Sequence, residues 1–328
     1  MAKGKLTDVI IPEVFNPYLI ERTAELSAIR NSGIAGLVSG ITVPSGGKTL
    51  NLPFWNDLAG DDEVLDDNGN LTADKITAAD DIAAIHTRGK LWKMHELTQA
   101  LTGEDVMRAI ADLVAGWWAR QEQKLVLASL KGVFAASSMS GNVLDISAEA
   151  GNAALITAES LTDAISLLGD AGGKLTGIIT HSAVMYDLAK KKMLDPKITV
   201  GSVETAPEMN TYMGRRIIAD DGAPLSSGVY TTYLFGEGSI GYAEGAMPVP
   251  TATEYDLESG DFKMASRRKF IFHPRGIKWA GTSAKATPSN TELGTGTNWT
   301  RVWENKNIRI VAFKHKIGPF VADTGGGG

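Results

Sequence analysis

The sequence contains no cysteine, which excludes a disulfide framework, a thiolate metal site and a cysteine nucleophile. It contains no run of about 18 apolar residues, so no segment reads as a membrane-spanning helix. Nor is there a basic surplus: 32 Lys and Arg stand against 38 Asp and Glu, for a net charge of −6. Proteins that hold nucleic acid by its phosphates carry a basic excess or stripe. Only Lys190-Lys191-Lys192 and Arg267-Arg268-Lys269 approach one. Any DNA nearby is therefore expected to be contained and not gripped. The opening residues, Met1 to Asp8, lack an apolar signal core, so folding in a cytosol is expected. Proline is missing from Phe54 to Asp195, which leaves that stretch free to hold long regular elements.

What is present is a chain of 328 residues, 43% hydrophobic, enough to build a real core in one large domain or two smaller ones. Residues 1–40 read as an N-terminal arm. Its first part, Asp8-Val9-Ile10-Ile11-Pro12-Glu13-Val14-Phe15, mixes β-branched residues with proline and suits an extended segment. A short helix from Pro17 to Ile29 follows, burying Leu19, Ile20, Thr23, Leu26 and Ala28, with Ser32-Gly33 as its stop. Such an arm packs either on its own domain or on another subunit.

Residues 41–100 are the most unusual region. An alternating strand at Thr49–Trp55 and a return strand at Ile82–Lys93 enclose a nonperiodic stretch with Asp57, Asp61, Asp62, Glu63, Asp66, Asp67, Asp74, Asp80 and Asp81, relieved only by Lys75. A connection this long is rare inside a compact domain and tends to be functional. The pattern predicts a long hairpin leaving the body, and a lone two-stranded ribbon needs another surface to lie on. A disordered acidic loop is the plainer alternative.

The clearest helix spans about 103–131, opening at Thr102-Gly103-Glu104-Asp105 and closing at Lys131-Gly132. Its predicted apolar stripe is Val106, Ile110, Leu113, Val114, Trp117, Leu125 and Ala128, with Glu122 off it. Residues 150–246 then alternate helix and strand as one α+β module. Thr157 and Ser182 are its expected helix caps, and strands are expected at 175–180, 213–219 and 229–235. Residues 247–285 read as strands, with a turn at Glu258-Ser259-Gly260-Asp261. Residues 286–328 read as a polar link, a last strand pair (Val302–Trp303 with Asn307–Lys314) and a glycine tail.

Motifs for chemistry fail on context. Gly236-Glu237-Gly238-Ser239-Ile240-Gly241 has the spacing of a dinucleotide fingerprint, yet Pro248 and Pro250 follow where a helix must begin. Gly46-Gly47-Lys48-Thr49 lacks the first glycine and the helix of a phosphate loop. The five histidines are scattered, and His95-Glu96 lacks the second histidine of a zinc helix. His181-Ser182 suggests a base and nucleophile, but a helix cap explains it better. The acidic run lacks the spacing of a calcium loop. No catalytic, cofactor or metal site is expected.

The order of elements (arm, long hairpin, long helix, α+β module, returning strands) resembles the Hong Kong 97-type capsid fold of tailed bacteriophages. Two stretches carry the likeness locally: Thr7-Asp8-Val9-Ile10-Ile11-Pro12-Glu13-Val14-Phe15 with Glu21-Arg22-Thr23-Ala24-Glu25-Leu26-Ser27, and Arg267-Arg268-Lys269-Phe270-Ile271-Phe272-His273-Pro274-Arg275-Gly276-Ile277-Lys278-Trp279. The resemblance implies an α+β fold with N-arm 1–40, E-loop 41–100, P-domain spine helix 101–149, A-domain 150–246, P-domain strands 247–285 and C-terminal strands 286–328. It implies a structural protein that self-assembles into pentamers and hexamers of an icosahedral shell around double-stranded DNA, formed in the bacterial cytoplasm. Its partners would be further copies of itself, a portal, a scaffolding protein, a decoration protein and the packaged DNA, with no membrane. An encapsulin-type nanocompartment is the second reading. On either, Val9, Ile10, Phe15, Leu52, Phe54, Trp55, Ile85 and Trp92 are the candidates for burial between subunits.

Overall fold

The structure is a computed structural model. It describes residues 18–20, 23, 28–37, 42–44, 46–58, 62, 73, 75–95, 106–194, 211–258 and 261–318. The extended arm segment, most of the acidic connection, the opening turn of the long helix and the glycine tail lie outside these residues.

Helix α1 (Ala28–Asn31) ends where Gly33 takes φ +75°, and β1 (Ala35–Leu37) follows. Strands β2 (Thr49–Trp55) and β3 (Ala78–Ala84) form the expected antiparallel hairpin in unbroken register from Thr49↔Ala84 to Trp55↔Ala78. The return strand, however, is two strands. At Ile85 the chain leaves the hairpin, and β4 (His86–His95) joins a different sheet. The break is legible in burial, since Ala83 to His86 are all buried and do not alternate.

Helix α2 (Val106–Val133), the spine, is 28 residues long and so about 42 Å. It is buried on more than one side, because both large sheets lean on it. Trp118 is fully buried and Val114 and Leu125 nearly so, whereas Leu113 is 73% exposed. The predicted stripe is thus rotated: Trp118 and Glu122 face inward and Leu113 faces out. A helix sandwiched between layers is apolar around much of its girth, and periodicity then fixes its orientation poorly.

After β5 (Val143–Asp145), helix α3 (Ala158–Ser166) is capped by Thr157 in a reciprocal capping box with Ser160. Strand β6 (Leu175–Thr180) leads to helix α4 (Ser182–Lys190). Its cap is His181, whose Nδ1 accepts from the Ala183 N–H at 3.1 Å, and not Ser182 as the sequence suggested. Strands β7 (Thr211–Tyr212), β8 (Arg215–Ala219), β9 (Leu225–Ser226) and β10 (Val229–Gly236) complete this region. Then come β11 (Ile240–Gly245), β12 (Thr251–Asp256), the fourteen-residue β13 (Asp261–Pro274) and β14 (Ile277–Trp279). Helix α5 (Asn290–Leu293), opened by a Ser289/Glu292 capping box, sits in the stretch read as a polar link. Strands β15 (Trp299–Arg301) and β16 (Ile310–His315) finish the described chain, and they do not pair with each other as expected.

Two sheets organise the molecule. In the first, β13 is the axis, with β11 and β12 along one edge, β4 along the other, and β1 parallel to β11. In the second the order is β5-β16-β10-β6-β8-β7, with β9 on β10. That sheet takes β5 and β16 from outside residues 150–246, while β11, inside that range, belongs to the first sheet. The second sheet buries Leu161, Ile178, Leu188, Leu234 and Phe313. The spine and the first sheet bury Trp118, Leu130, Phe270 and Phe272.

Candidate assembly surface

Along β2, Leu50, Leu52 and Phe54 are half-buried while Thr49, Asn51, Pro53 and Trp55 are exposed. The inner face lies over Val43, Ala83, Ile85, Ala243 and Ile271. The hairpin is tied to the body at its root. Asp81, 3% exposed, accepts from His273 Nε2 at 2.8 Å and from the Gly276 N–H at 2.9 Å. Gly276 holds φ +82°, and a Cβ there would stand 2.6 Å from the Trp303 ring, so only glycine fits. Farther out, Phe54 meets Trp303 edge-on at 5.9 Å. Between hairpin and sheet a cleft of about 530 Å³ stays open. Beyond Phe54 the hairpin presents apolar groups to solvent: Trp55 is 74% exposed, Leu58 76% and Ile76 61%. Burying each fully would be worth about 1.5–3 kcal/mol. Three together at one end of a ribbon mark a surface to be covered.

The body that carries this hairpin is fixed by a buried charge network. Glu122 on the spine, 1% exposed, accepts at one oxygen from Arg30 at 2.6 Å and from Arg268 at 2.9 Å. Arg268 also binds Glu244 at 2.7 Å, and the Tyr242 hydroxyl donates to Glu244 and accepts from Arg30. The guanidinium carbon of Arg30 lies 4.0 Å from the Tyr242 ring centroid, and that of Arg268 lies 5.3 Å from Trp118. Trp118 in turn donates to Ser266 at 3.0 Å. Burial raises the Glu122 pKa despite the two arginines. For Arg268, burial works downward, but Glu244 and Glu122 outweigh it and the net shift is upward. Two cations balance two carboxylates, so the network ties α1, the spine, β11 and β13 at one register without a net buried charge.

The serine–histidine pair does not form a catalytic relay. Ser182 donates directly to Asp221, and His181 Nδ1 is occupied by the Ala183 N–H. In a relay the imidazole stands between hydroxyl and carboxylate. Two glycine motifs also resolve as expected from their context: Gly236 ends β10 and Ile240 begins β11 across a turn, and Thr49 begins a strand. Among the described residues no group of His, Asp and Glu is arranged to hold a metal ion.

The eight candidates fall into three groups. Val9, Ile10 and Phe15 lie outside the described residues. Ile85, 1% exposed, is covered by its own chain, and Trp92 is half-buried with its ring edge-on to Trp117 at 5.1 Å. Leu52 and Phe54 face inward from the hairpin, and Trp55 faces out. Sequence reasoning missed Arg30, Glu122 and Arg268. One signal was present: Arg268, Phe270 and Phe272 alternate, which puts the arginine on the same strand face as two buried rings.

Comparison with known proteins bears on the whole arrangement. The model of the Gp13-like family, described as major capsid protein 13-like, matches residues 42–308. The "Major capsid protein" of Bacillus phage SPP1 is 42% identical over 327 residues, covering 97% of this chain and 99% of that one. Among solved structures, the capsid of Ralstonia phage GP4 superposes with TM-score 0.54 at 8% identity, covering 90% of each chain. The cyanophage Pam1 capsid asymmetric unit gives 0.53 at 13% identity, over 91% of this chain and 93% of that one. These structural likenesses concern fold alone, and the fold is the Hong Kong 97-type capsid fold, of α+β class.

Proposed function

As a member of the Gp13-like major capsid protein family, the chain is the major capsid protein of a tailed phage and a component of the virion, and we propose that it works by repeated lateral burial of its hairpin and arm on neighbouring copies. The observation that carries this mechanism is the apolar hairpin end: Trp55, Leu58 and Ile76 stand in water on a ribbon rooted firmly at Asp81. Each contact is modest, but every subunit both gives and receives it, so modest interfaces sum to a closed shell. Pentamers and hexamers of an icosahedral shell are the assembly this reading implies, built in the bacterial cytoplasm around double-stranded DNA. A portal and a scaffolding protein are the expected partners, with a decoration protein on the outside. Its work is mechanical, with no catalytic step, cofactor or metal.

The segment assignments proposed are those the resemblance implies: N-arm 1–40, E-loop 41–100, P-domain spine helix 101–149, A-domain 150–246, P-domain strands 247–285 and C-terminal strands 286–328, with β5 and β16 adding to the sheet of the A-domain and β11 to that of the P-domain. Of the five contact candidates among the described residues, Trp55 keeps the most surface to offer a neighbour. Electron microscopy of the purified chain tests the reading. Uniform hollow particles are expected; a small discrete oligomer at every concentration would overturn it.

A further inference from the structure

A second groove, of about 590 Å³, runs beneath the outer end of the hairpin, between Trp55 and Asp57 on one side and Lys174, Glu304, Lys306 and Arg309 on the other. Lys174 and Arg309 flank the same point, since a Cβ on Gly236 would touch the Lys174 carbonyl at 2.7 Å and Arg309 Cβ at 2.8 Å. Lys174, Lys306 and Arg309 are all exposed, and none makes an ion pair with a described residue. Among the described residues lining the groove, Glu304 on the body and Asp57 on the hairpin are the carboxylates that offset them. Three cations gathered at one groove of a chain with net charge −6 call for an anionic occupant.

The same chain supplies one. From Asn56 to Asp74 there is no Lys, Arg or His, whereas Asp57, Asp61, Asp62, Glu63, Asp66, Asp67 and Asp74 give seven carboxylates. Such a run repels itself and gains from being seated against cations. Resting on the reading that hairpins reach over neighbouring copies, we propose that this groove is the receptor for the acidic run, Asp61 to Asp67, of a second copy of the chain. The apolar residues Trp55, Leu58 and Ile76 then supply burial, and the charge pattern supplies register and partner choice. In sequence the acidic run joins the outer ends of β2 and β3, and the groove lies beneath that same end, so each copy can donate one and receive the other around a ring.

A charge-swap mixing experiment tests this. One variant carries Lys174→Glu, Lys306→Glu and Arg309→Glu; the other carries Asp61→Lys, Asp62→Lys, Asp66→Lys and Asp67→Lys. Lys174, Lys306 and Arg309 are exposed, so the groove variant is expected to melt like the parent monomer, and the same melt on the acidic-run variant separates lost assembly from lost folding. Each alone is expected to lose closed particles from the fast-sedimenting fraction. Mixed in equal amounts they should associate into mixed even-membered rings such as hexamers, because an acidic run then meets a groove of opposite sign on the alternate copy. A five-membered ring cannot alternate, so closed particles are expected from a chain carrying both sets and not from the mixture. Two outcomes would overturn the proposal: closed particles from either variant alone, or failure of the mixture to associate when a chain carrying both sets assembles, which would place the acidic run in its own groove. Failure of the unsubstituted chain to form particles would count instead against the assembly reading itself.

Discussion

The spine and the hairpin handle surface in opposite ways. Around the spine the buried charges are paired from within: Glu122 by two arginines, Arg268 by two carboxylates, with Trp118 donating to Ser266. In the hairpin the buried charge, Asp81, is answered at the root, and the outer end leaves Trp55, Leu58 and Ile76 in solvent. The contrast separates two kinds of residue that sequence composition treats alike. A buried apolar residue of the spine stabilises the subunit, whereas on the proposed mechanism one at the hairpin end would stabilise only the assembly.

The largest expected effect comes from breaking the body. Replacing Arg268 by alanine leaves Glu122 with Arg30 alone and Glu244 with the Tyr242 hydroxyl, so one carboxylate charge of the buried network goes uncompensated. This should cost about 3–5 kcal/mol, measured by urea unfolding of the monomer. Particles should be lost with it. At the hairpin root, Gly276→Ala forces a Cβ into Trp303 at a positive φ and should cost about 1–3 kcal/mol in the same assay.

Acid should weaken the body more gently. Burial pushes the His86 pKa down from 6.5 to about 3, with Arg88 adding to it, and pushes His315 down to about 4. Below pH 6.5 the unfolded chain takes up protons at these sites and the folded chain does not, so stability falls as pH falls. Each histidine should contribute a slope of about 0.7 kcal/mol per pH unit at pH 6.5, rising toward about 1.4 near pH 5. His315→Gln should remove its share of that slope while leaving the rest. The smallest effect on the monomer sharpens the comparison most. Trp55→Ser should change subunit stability by less than about 0.5 kcal/mol, yet particle yield, read by sedimentation, should collapse.

Much of this fold was legible because local signals agreed with it. The capping residue Thr157, the stop at Gly33 and the turn signal Glu258-Ser259-Gly260-Asp261 each have a short-range cause, and the elements beside them appear where expected. The misses have long-range causes. Nothing near Ile85 announces that β3 and β4 serve different sheets, because the partner of β4 is β13, far along the chain. Glu122 reads as a solvent-facing helix residue until Arg30 and Arg268 arrive from 92 and 146 positions away. Ile85 and Trp92 had the right chemistry for an interface and are held by their own subunit instead. The family likeness was legible from the order of elements, since the architecture of a shell subunit is spread over the whole chain.

Assembly by lateral burial requires the hairpin end to be covered by a neighbour. Hydroxyl-radical footprinting of Trp55 in dissociated subunits and in assembled particles measures this directly. Strong oxidation in the subunit and protection in the particle is the predicted result. Equal oxidation in both would mean that the ribbon reaches no other copy, and lateral burial of the hairpin would be contradicted.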